Sequence, residues 1–519
     1  MKLDYKRTIL VGFAFFLICA FWQAYDATIP VILTNKFGMS QTWSGLIMAL
    51  DNILAVFMLP IFGALSDKCV KSKTGKRTPF IMIGTIIAAV VLVALSFVDG
   101  AQMKNISDVS AIDDPKALGV IYEKQADSEL MTPDGEAYVL RDLFEKEEFM
   151  EIKSQIEGEN GKLVTNPDYT NYVAPARQAC AAAATAADPT VLVLFIVLLL
   201  AVLIAMAVFR SPAVALMPDV TIKPLRSKAN AIINLMGTAG GILVLVLGIV
   251  FATGNVKNSM MNYTVYYGVI AALMLGALLV FRLTVREPQW AAEMREESNR
   301  LGIDETEDDG NKDDRKLNKA EKRSLLLILA SVALWYIGYN AVTSKYSLYA
   351  SRVLDMDYNT TLLLAQGAAI AAYIPAGLVA SKIGRKKTIL GGVVMLAAAF
   401  GAASFLKAGS SVLLMNALFI LAGIGWATIN VNSFPMVVEM CSGSDIGKYT
   451  GYYYTASMAA QIVTPVLSGA LMDLTGKMTI LFPYAAIFAA LAFGTMLFVR
   501  HGDSRPDSKK GLEALDVDD

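Results

Sequence analysis

Pro60-Ile61-Phe62-Gly63-Ala64-Leu65-Ser66-Asp67-Lys68 closes one apolar run and leads into Gly75-Lys76-Arg77. Far along the chain, Ile374-Pro375-Ala376-Gly377-Leu378-Val379-Ala380-Ser381-Lys382-Ile383-Gly384-Arg385-Lys386-Lys387 closes another run in the same way. Both read Gly-x-x-x-(Asp or Ser)-Lys, then glycine and basic residues, which marks an internal repeat. A looser second pair agrees with the first. Ser211-Pro212 through Pro218-Asp219, with Arg226 to Ala231 after it, matches Ser433-Phe434-Pro435 through Val438-Glu439, with Gly447 to Tyr452 after it. Gly63 to Gly377 is 314 residues but Asp219 to Glu439 is 220, so the first unit holds an extra 94 residues between its two motifs.

Outward from these motifs, the chain is apolar. Of 519 residues 55% are hydrophobic and 18% charged, against about 25% charged in a soluble domain, and mean hydropathy is +0.50. A membrane span needs about 20 mostly apolar residues to cross roughly 30 Å as a helix, which satisfies its own backbone. Twelve such spans are expected, starting near Thr8, Trp43, Pro79, Pro189, Ala229 and Asn262, then near Ser324, Asn359, Lys387, Ser411, Tyr449 and Thr479. The expected fold is an all-α polytopic membrane protein with two six-helix halves related by an axis along the membrane normal and substrate held between them near the midplane, the plan of alternating-access carriers. Residues 1–98 hold helices one to three, 189–285 helices four to six and 324–500 helices seven to twelve.

Segments between spans alternate in charge. Lys2, Lys6 and Arg7, then Lys68, Lys71, Lys73, Lys76 and Arg77, then Lys223, Arg226 and Lys228, then Arg282 and Arg286, then Lys382, Arg385, Lys386 and Lys387, then Lys448 and Arg500 fall on one side. The positive-inside rule makes that side cytoplasmic, with both termini, including the 501–519 tail, on it. A signal peptide is the other reading of the N-terminal run, but Trp22, Gln23, Tyr25 and Asp26 stand where small cleavage-site residues would. Residues 99–188 carry 18 Asp/Glu and 8 Lys/Arg, a net of −10, and form an external insertion, either disordered or a small ordered cap with helices over Asp142–Glu157 and Ala174–Ala187. Residues 286–323 read as a solvated cytoplasmic tether.

Composition removes several chemistries. His501, in the polar tail, is the only histidine, so Ser-His-Asp triads, HExxH zinc sites and histidine proton relays have no material. No metal site or cofactor is expected. Cys19, Cys69, Cys180 and Cys441 show no CxxC spacing, and only Cys180 lies outside, so no external intrachain disulfide is expected. A net charge of −1 gives no basic face for nucleic acid.

Gly63-x-x-x-Asp67-Lys68 with Gly75-Lys76-Arg77 resembles the signature of the major facilitator superfamily between its second and third helices. The longer stretch Ser66-Asp67-Lys68 through Lys71-Ser72-Lys73-Thr74-Gly75-Lys76-Arg77-Thr78-Pro79-Phe80 resembles the Ser-Asp-Arg to Gly-Arg-Arg-Arg-Pro-Phe segment of its sucrose/proton symporter branch, with the glycoside-cation symporters as near neighbours. The resemblance implies the major facilitator fold and sugar transport in a cell (plasma) membrane by a carrier read as a monomer. Two departures stand out. Where plant-like members have Gly-Pro-x-Arg-Ala-Leu-x-x-Asp, Val214 replaces the arginine and Arg210 lies one helical turn earlier. Melibiose-type carriers hold sodium with carboxylates four apart in helix two, whereas Asp51 is followed at that spacing by Ala55.

An ionisable side chain in a span costs about 2.5–3.5 kcal/mol on insertion scales and is a functional candidate by default. Asp26 and Asp51 are the clearest cases. With histidine unavailable they are the candidate proton carriers, and sodium is the alternative coupling ion. A sugar needs polar groups for its hydroxyls and an aromatic face. Helical spacing offers Trp22 and Gln23; Asn230 and Asn234; Tyr336, Tyr339, Asn340 and Thr343; and Trp426 and Asn430. Arg210 is a further candidate, and Lys345 and Arg352 are read as snorkelling near the outer end of helix seven. For a cytoplasmic gate, Gly63 and Gly377 permit close helix approach, Gly384 belongs to the same repeated motif, and Asp67, Asp219 and Glu439 face Lys76, Arg77, Arg226, Arg385 and Lys448, so that opposite charges latch the two halves.

The leading expectation is import of a glycoside, a disaccharide, by proton symport. A drug or metabolite antiporter of the same fold is the alternative, weakened because helix five, with Gly237-Thr238-Ala239-Gly240-Gly241, lacks a Gly-Pro element. A membrane sensor using the insertion would need an output domain, for which residues 286–323 are too short.

Overall fold

The computed structural model describes residues 3–69, 72–157, 163–222, 225–301, 318–438, 440 and 446–501. Among the described residues twelve helices are long and apolar enough to cross a membrane. In chain order they are α1 (Tyr5–Asn35), α2 (Gln41–Lys68), α3 (Thr78–Asn105), α4 (Thr190–Val220), α5 (Arg226–Val250), α6 (Thr264–Thr284), α7 (Lys319–Tyr349), α8 (Tyr358–Ile383), α9 (Arg385–Ala403), α10 (Val412–Val438), α11 (Ile446–Thr475) and α12 (Leu481–Leu497). Polar caps set their starts. Asp4 accepts from Arg7 N at 3.1 Å, Asp357 from Thr360 N at 3.1 Å, and Asn318 forms a capping box with Glu321. Pro79 occupies the first turn of α3, and Gly384 (φ +94°) ends α8 in a conformation that excludes most side chains.

Helix pairings repeat across the chain. In the first half α1 packs on α5 and α6, α2 on α4, and α3 on α4 and α6; six helices later α7 packs on α11 and α12, α8 on α10, and α9 on α10 and α12. Between halves, α2 meets α11 and α5 meets α8, again equivalent pairs. Each half has its own apolar core, around Phe21, Leu199 and Phe281 in the first and Trp335, Phe400 and Phe482 in the second. Outside these cores apolar side chains face outward, Val250 at 72% and Leu283 at 73% exposure. A surface so apolar requires lipid around it.

Three expectations change. The insertion is an ordered cap with a core of its own, built on Leu118, Ile121, Phe149, Tyr169 and Val173. It is not purely helical: antiparallel hairpins pair Glu129–Met131 with Ala137–Val139 and Gln155–Glu157 with Leu163–Thr165. The expected helix over 142–157 is short pieces, Leu140–Leu143 and Lys146–Glu151, ahead of a strand, whereas Ala174–Ala187 is helical as expected. Second, α3 runs on to Asn105, so Asp99 belongs to the helix and not to the insertion. Third, residues 287–301 of the expected tether form a helix that packs on the first half through buried Glu287, Trp290 and Met294.

Candidate functional site

The polar residues that interrupt the apolar spans converge between the halves. A cavity of about 380 Å³ lies among α1, α5, α7, α8 and α10, walled by Trp22, Gln23, Asp26, Tyr339, Gln366 and Trp426, among others. Its size and mostly apolar lining with a few polar groups are those of a small-molecule site. A smaller polar cavity of about 100 Å³ adjoins it between α1, α2, α7 and α11, with Asp26, Asp51, Asn52, Asn340 and Gln461 in its wall. Asp26 and Thr343 line both.

Helix geometry produces this arrangement. Trp22 and Asp26, four apart, share one face of α1, as Tyr336, Tyr339, Asn340 and Thr343 do on α7. Trp426 stacks flat on Tyr339, centroids 3.7 Å apart at 5°, and meets Tyr336 edge-on at 5.2 Å. The pair makes a rigid aromatic wall. Opposite it, Gln366 Nε2 donates to Gln23 Oε1 at 2.7 Å, joining α8 to α1 across the seam. The indole N–H of Trp22 and the amide nitrogen of Asn340 are buried with no protein partner, so both are available to a ligand. Gly240 lets α1 and α5 close up, because a Cβ there would sit 2.5 Å from Phe16 O.

Several expected residues sit elsewhere. Arg210 lies over the Trp22 ring at 5.8 Å, behind the cavity wall. Asn230, Asn234, Tyr336 and Asn430 line neither cavity, and Tyr336 supports Trp426 from the side. Gln366 and Gln461 are absent from the sequence-based set, although each is a polar residue inside an apolar run, as Gln23 is. Lys345 and Arg352 do not snorkel. Lys345 Nζ donates to Gln41 O at 2.9 Å, and Arg352 to Gln178 and Asn35, so both tie α7 to the first half.

The charged motif after α2 folds into a tight node. Arg77 donates to Ser66, to Asp67 and, at 2.8 Å, to Asp219 Oδ2, while Lys76 Nζ lies 3.0 Å from Asp219 Oδ1. Glu287 accepts from Arg77 N at 2.9 Å, Thr78 N at 2.8 Å and Thr78 Oγ1 at 2.7 Å. These pairs join α2, α3, α4 and the 287–301 helix within one half, whereas the expected latch bridges the halves. Gly63 brings α2 against α4, a Cβ there falling 2.8 Å from Ser211 Oγ. Glu439 and the side chains of Arg226 and Lys448 lie outside the described residues; Arg385 begins α9.

Among the described residues, side-chain contacts between the halves concentrate at the cap end. There Asp473 accepts from Gln41 N at 2.9 Å and Thr42 N at 2.8 Å, and Asn359 Nδ2 donates to Thr253 at 2.9 Å.

A family model described as Major Facilitator Superfamily matches residues 176–374 and 360–516, and one described as MFS/sugar transport protein matches residues 10–102. The MFS-type transporter ppzB of Metarhizium majus (strain ARSEF 297) is 29% identical over 128 residues, 25% of this chain and 27% of that protein, so the match spans about a quarter of the relative's length. Among solved structures, the inward-open xylose transporter XylE from E. coli matches with a TM-score of 0.55 at 14% identity over 98% of both chains. A D-xylose-proton symporter matches with a TM-score of 0.56 at 14% identity, over 96% of this chain and 99% of the other. At such identity the likeness is one of fold.

Proposed function

The chain belongs to the major facilitator superfamily, and from that premise we propose that it imports a glycoside, a disaccharide, across the plasma membrane by proton symport. One observation carries the reading. Asp26 is a shared wall of the aromatic cavity and the polar one. A bound sugar would lay its C–H face on the Tyr339–Trp426 stack and its hydroxyls against Gln23, Gln366 and Trp22. It would then touch the carboxylate that gains and loses the proton. Asp51, in the polar cavity, is the second carboxylate of the path, and Arg210 holds Trp22 from behind.

Both termini and the 287–301 helix are assigned to the cytoplasm and the cap to the exterior, following the basic segments. In that orientation the contacts at Asp473, Lys345 and Asn359 close the molecule outside. The Arg77 node keeps the inner end of the first half a rigid unit while the halves rock. Counterflow in proteoliposomes against a panel of mono- and disaccharides tests the substrate class. Exchange of a disaccharide, weakened at least tenfold by Trp426→Ala, is expected; exchange of no sugar in the panel would overturn the reading.

A further inference from the structure

We propose that the seam between the cap and the second half binds a small monovalent anion of the chloride class between Arg177 and Arg352. Arg177 is 3% exposed. It donates to Val109 O at 2.8 Å, Ala111 O at 3.3 Å and the Tyr169 hydroxyl. Arg352 donates to Gln178 Oε1 at 2.5 Å and to Asn35 Oδ1. All five acceptors are neutral. Among the described residues neither guanidinium has a carboxylate partner, and the cavity of about 30 Å³ that both line has no Asp or Glu in its wall.

Two cations beside one cavity repel each other, and for Arg177, the more buried of the two, a charge without a counter-ion costs several kcal/mol. Elsewhere the protein supplies the partner: Lys36, fully buried, has Asp99 at 2.6 Å. Here the partner must come from solution. The void exceeds the ~10–15 Å³ that one water needs, which suits a halide or comparably small anion and excludes a phosphate headgroup or a sugar acid. Among the described residues most acidic side chains of the cap are exposed, where screening over about 8 Å limits their reach, and Asp113 is taken up by Ser154.

The site has a mechanical consequence. Arg177 and Gln178 come from the cap helix Ala174–Ala187, Asn35 from the end of α1, and Arg352 from the π turn Ala350–Leu354 that follows α7. It is therefore complete only while the halves are closed at the cap end. An anion bound there stabilises that state and opposes opening on the cap side.

The test is thermal unfolding of the purified full-length protein in sodium chloride against sodium gluconate at equal ionic strength, gluconate being too large for the cavity. The unfolding midpoint is expected to rise saturably with chloride, with bromide substituting, and Arg352→Gln to weaken the apparent chloride affinity at least tenfold. Equal midpoints in the two salts would mean that the cavity holds only water, and the proposal fails. A chloride effect of unchanged affinity in Arg352→Gln would place the anion elsewhere and overturn it equally. If Arg352→Gln does not fold, a bromide difference map of the wild type decides: a peak touching both guanidiniums supports the site, and its absence refutes it.

Discussion

Lys36 and Asp99 form an ion pair at 2.6 Å with no exposure of either side chain, and Lys36 also donates to Met261 O at 2.8 Å and faces the Tyr263 ring at 4.7 Å. Removing one member of such a pair leaves a buried, uncompensated charge, at a cost of about 3–5 kcal/mol. Lys36→Met should therefore lower the unfolding midpoint of the purified protein sharply, and Lys36→Met with Asp99→Leu should recover most of the loss. A double variant no better than the single would show that the pairing does not govern stability. The pair escaped sequence reading because hydropathy places Asp99 just beyond the end of a span, while tertiary packing extends α3 over it. Asp26 and Asp51 were legible for the opposite reason: a carboxylate deep within an apolar run is costly enough to stand out. Gln366 and Gln461 carry no formal charge, so the same criterion passed over them.

At the scale of elements, Glu287 is the residue that turns the expected tether into part of the bundle. Its carboxylate takes the free N–H groups at the start of α3, and Gly75 (φ +111°) makes room for it, since a Cβ there would lie 2.2 Å from the Glu287 carboxyl carbon. Loss of a helix cap costs about 0.5–2 kcal/mol. Glu287→Ala should speed tryptic cleavage between Lys73 and Arg77 several-fold and slow transport, while Glu287→Gln, which keeps an acceptor, stays near wild type. Cleavage unchanged in Glu287→Ala would show that Glu287 does not hold the start of α3. The starts of the twelve spans were legible to within about five residues because length and hydropathy alone define them. The 287–301 helix was not, because its anchor joins residues 210 apart in sequence, and the short hairpins of the cap carry too few residues to show a period.

For the whole molecule, the repetition of the sequence motifs foretold the pseudo-symmetry now visible in equivalent helix pairings. It could not foretell that the described inter-half contacts gather at the cap end, since these depend on which of two rocking states the halves occupy. Orientation is open to direct measurement. Cysteine placed on the exposed surface at Lys116 should react with an impermeant thiol reagent added to intact cells, and cysteine at Glu296 should react only after permeabilisation; the reverse pattern would invert the topology. The central claim is that sugar and proton meet at Asp26. Proteoliposomes carrying the purified protein, given an inward pH gradient or an inward sodium gradient, measure this most directly when wild type and Asp26→Asn are compared in both accumulation and exchange. Accumulation should follow the pH gradient in the wild type and vanish in Asp26→Asn while exchange persists; accumulation that follows sodium alone, or an Asp26→Asn variant that still concentrates sugar on a pH gradient, would contradict it.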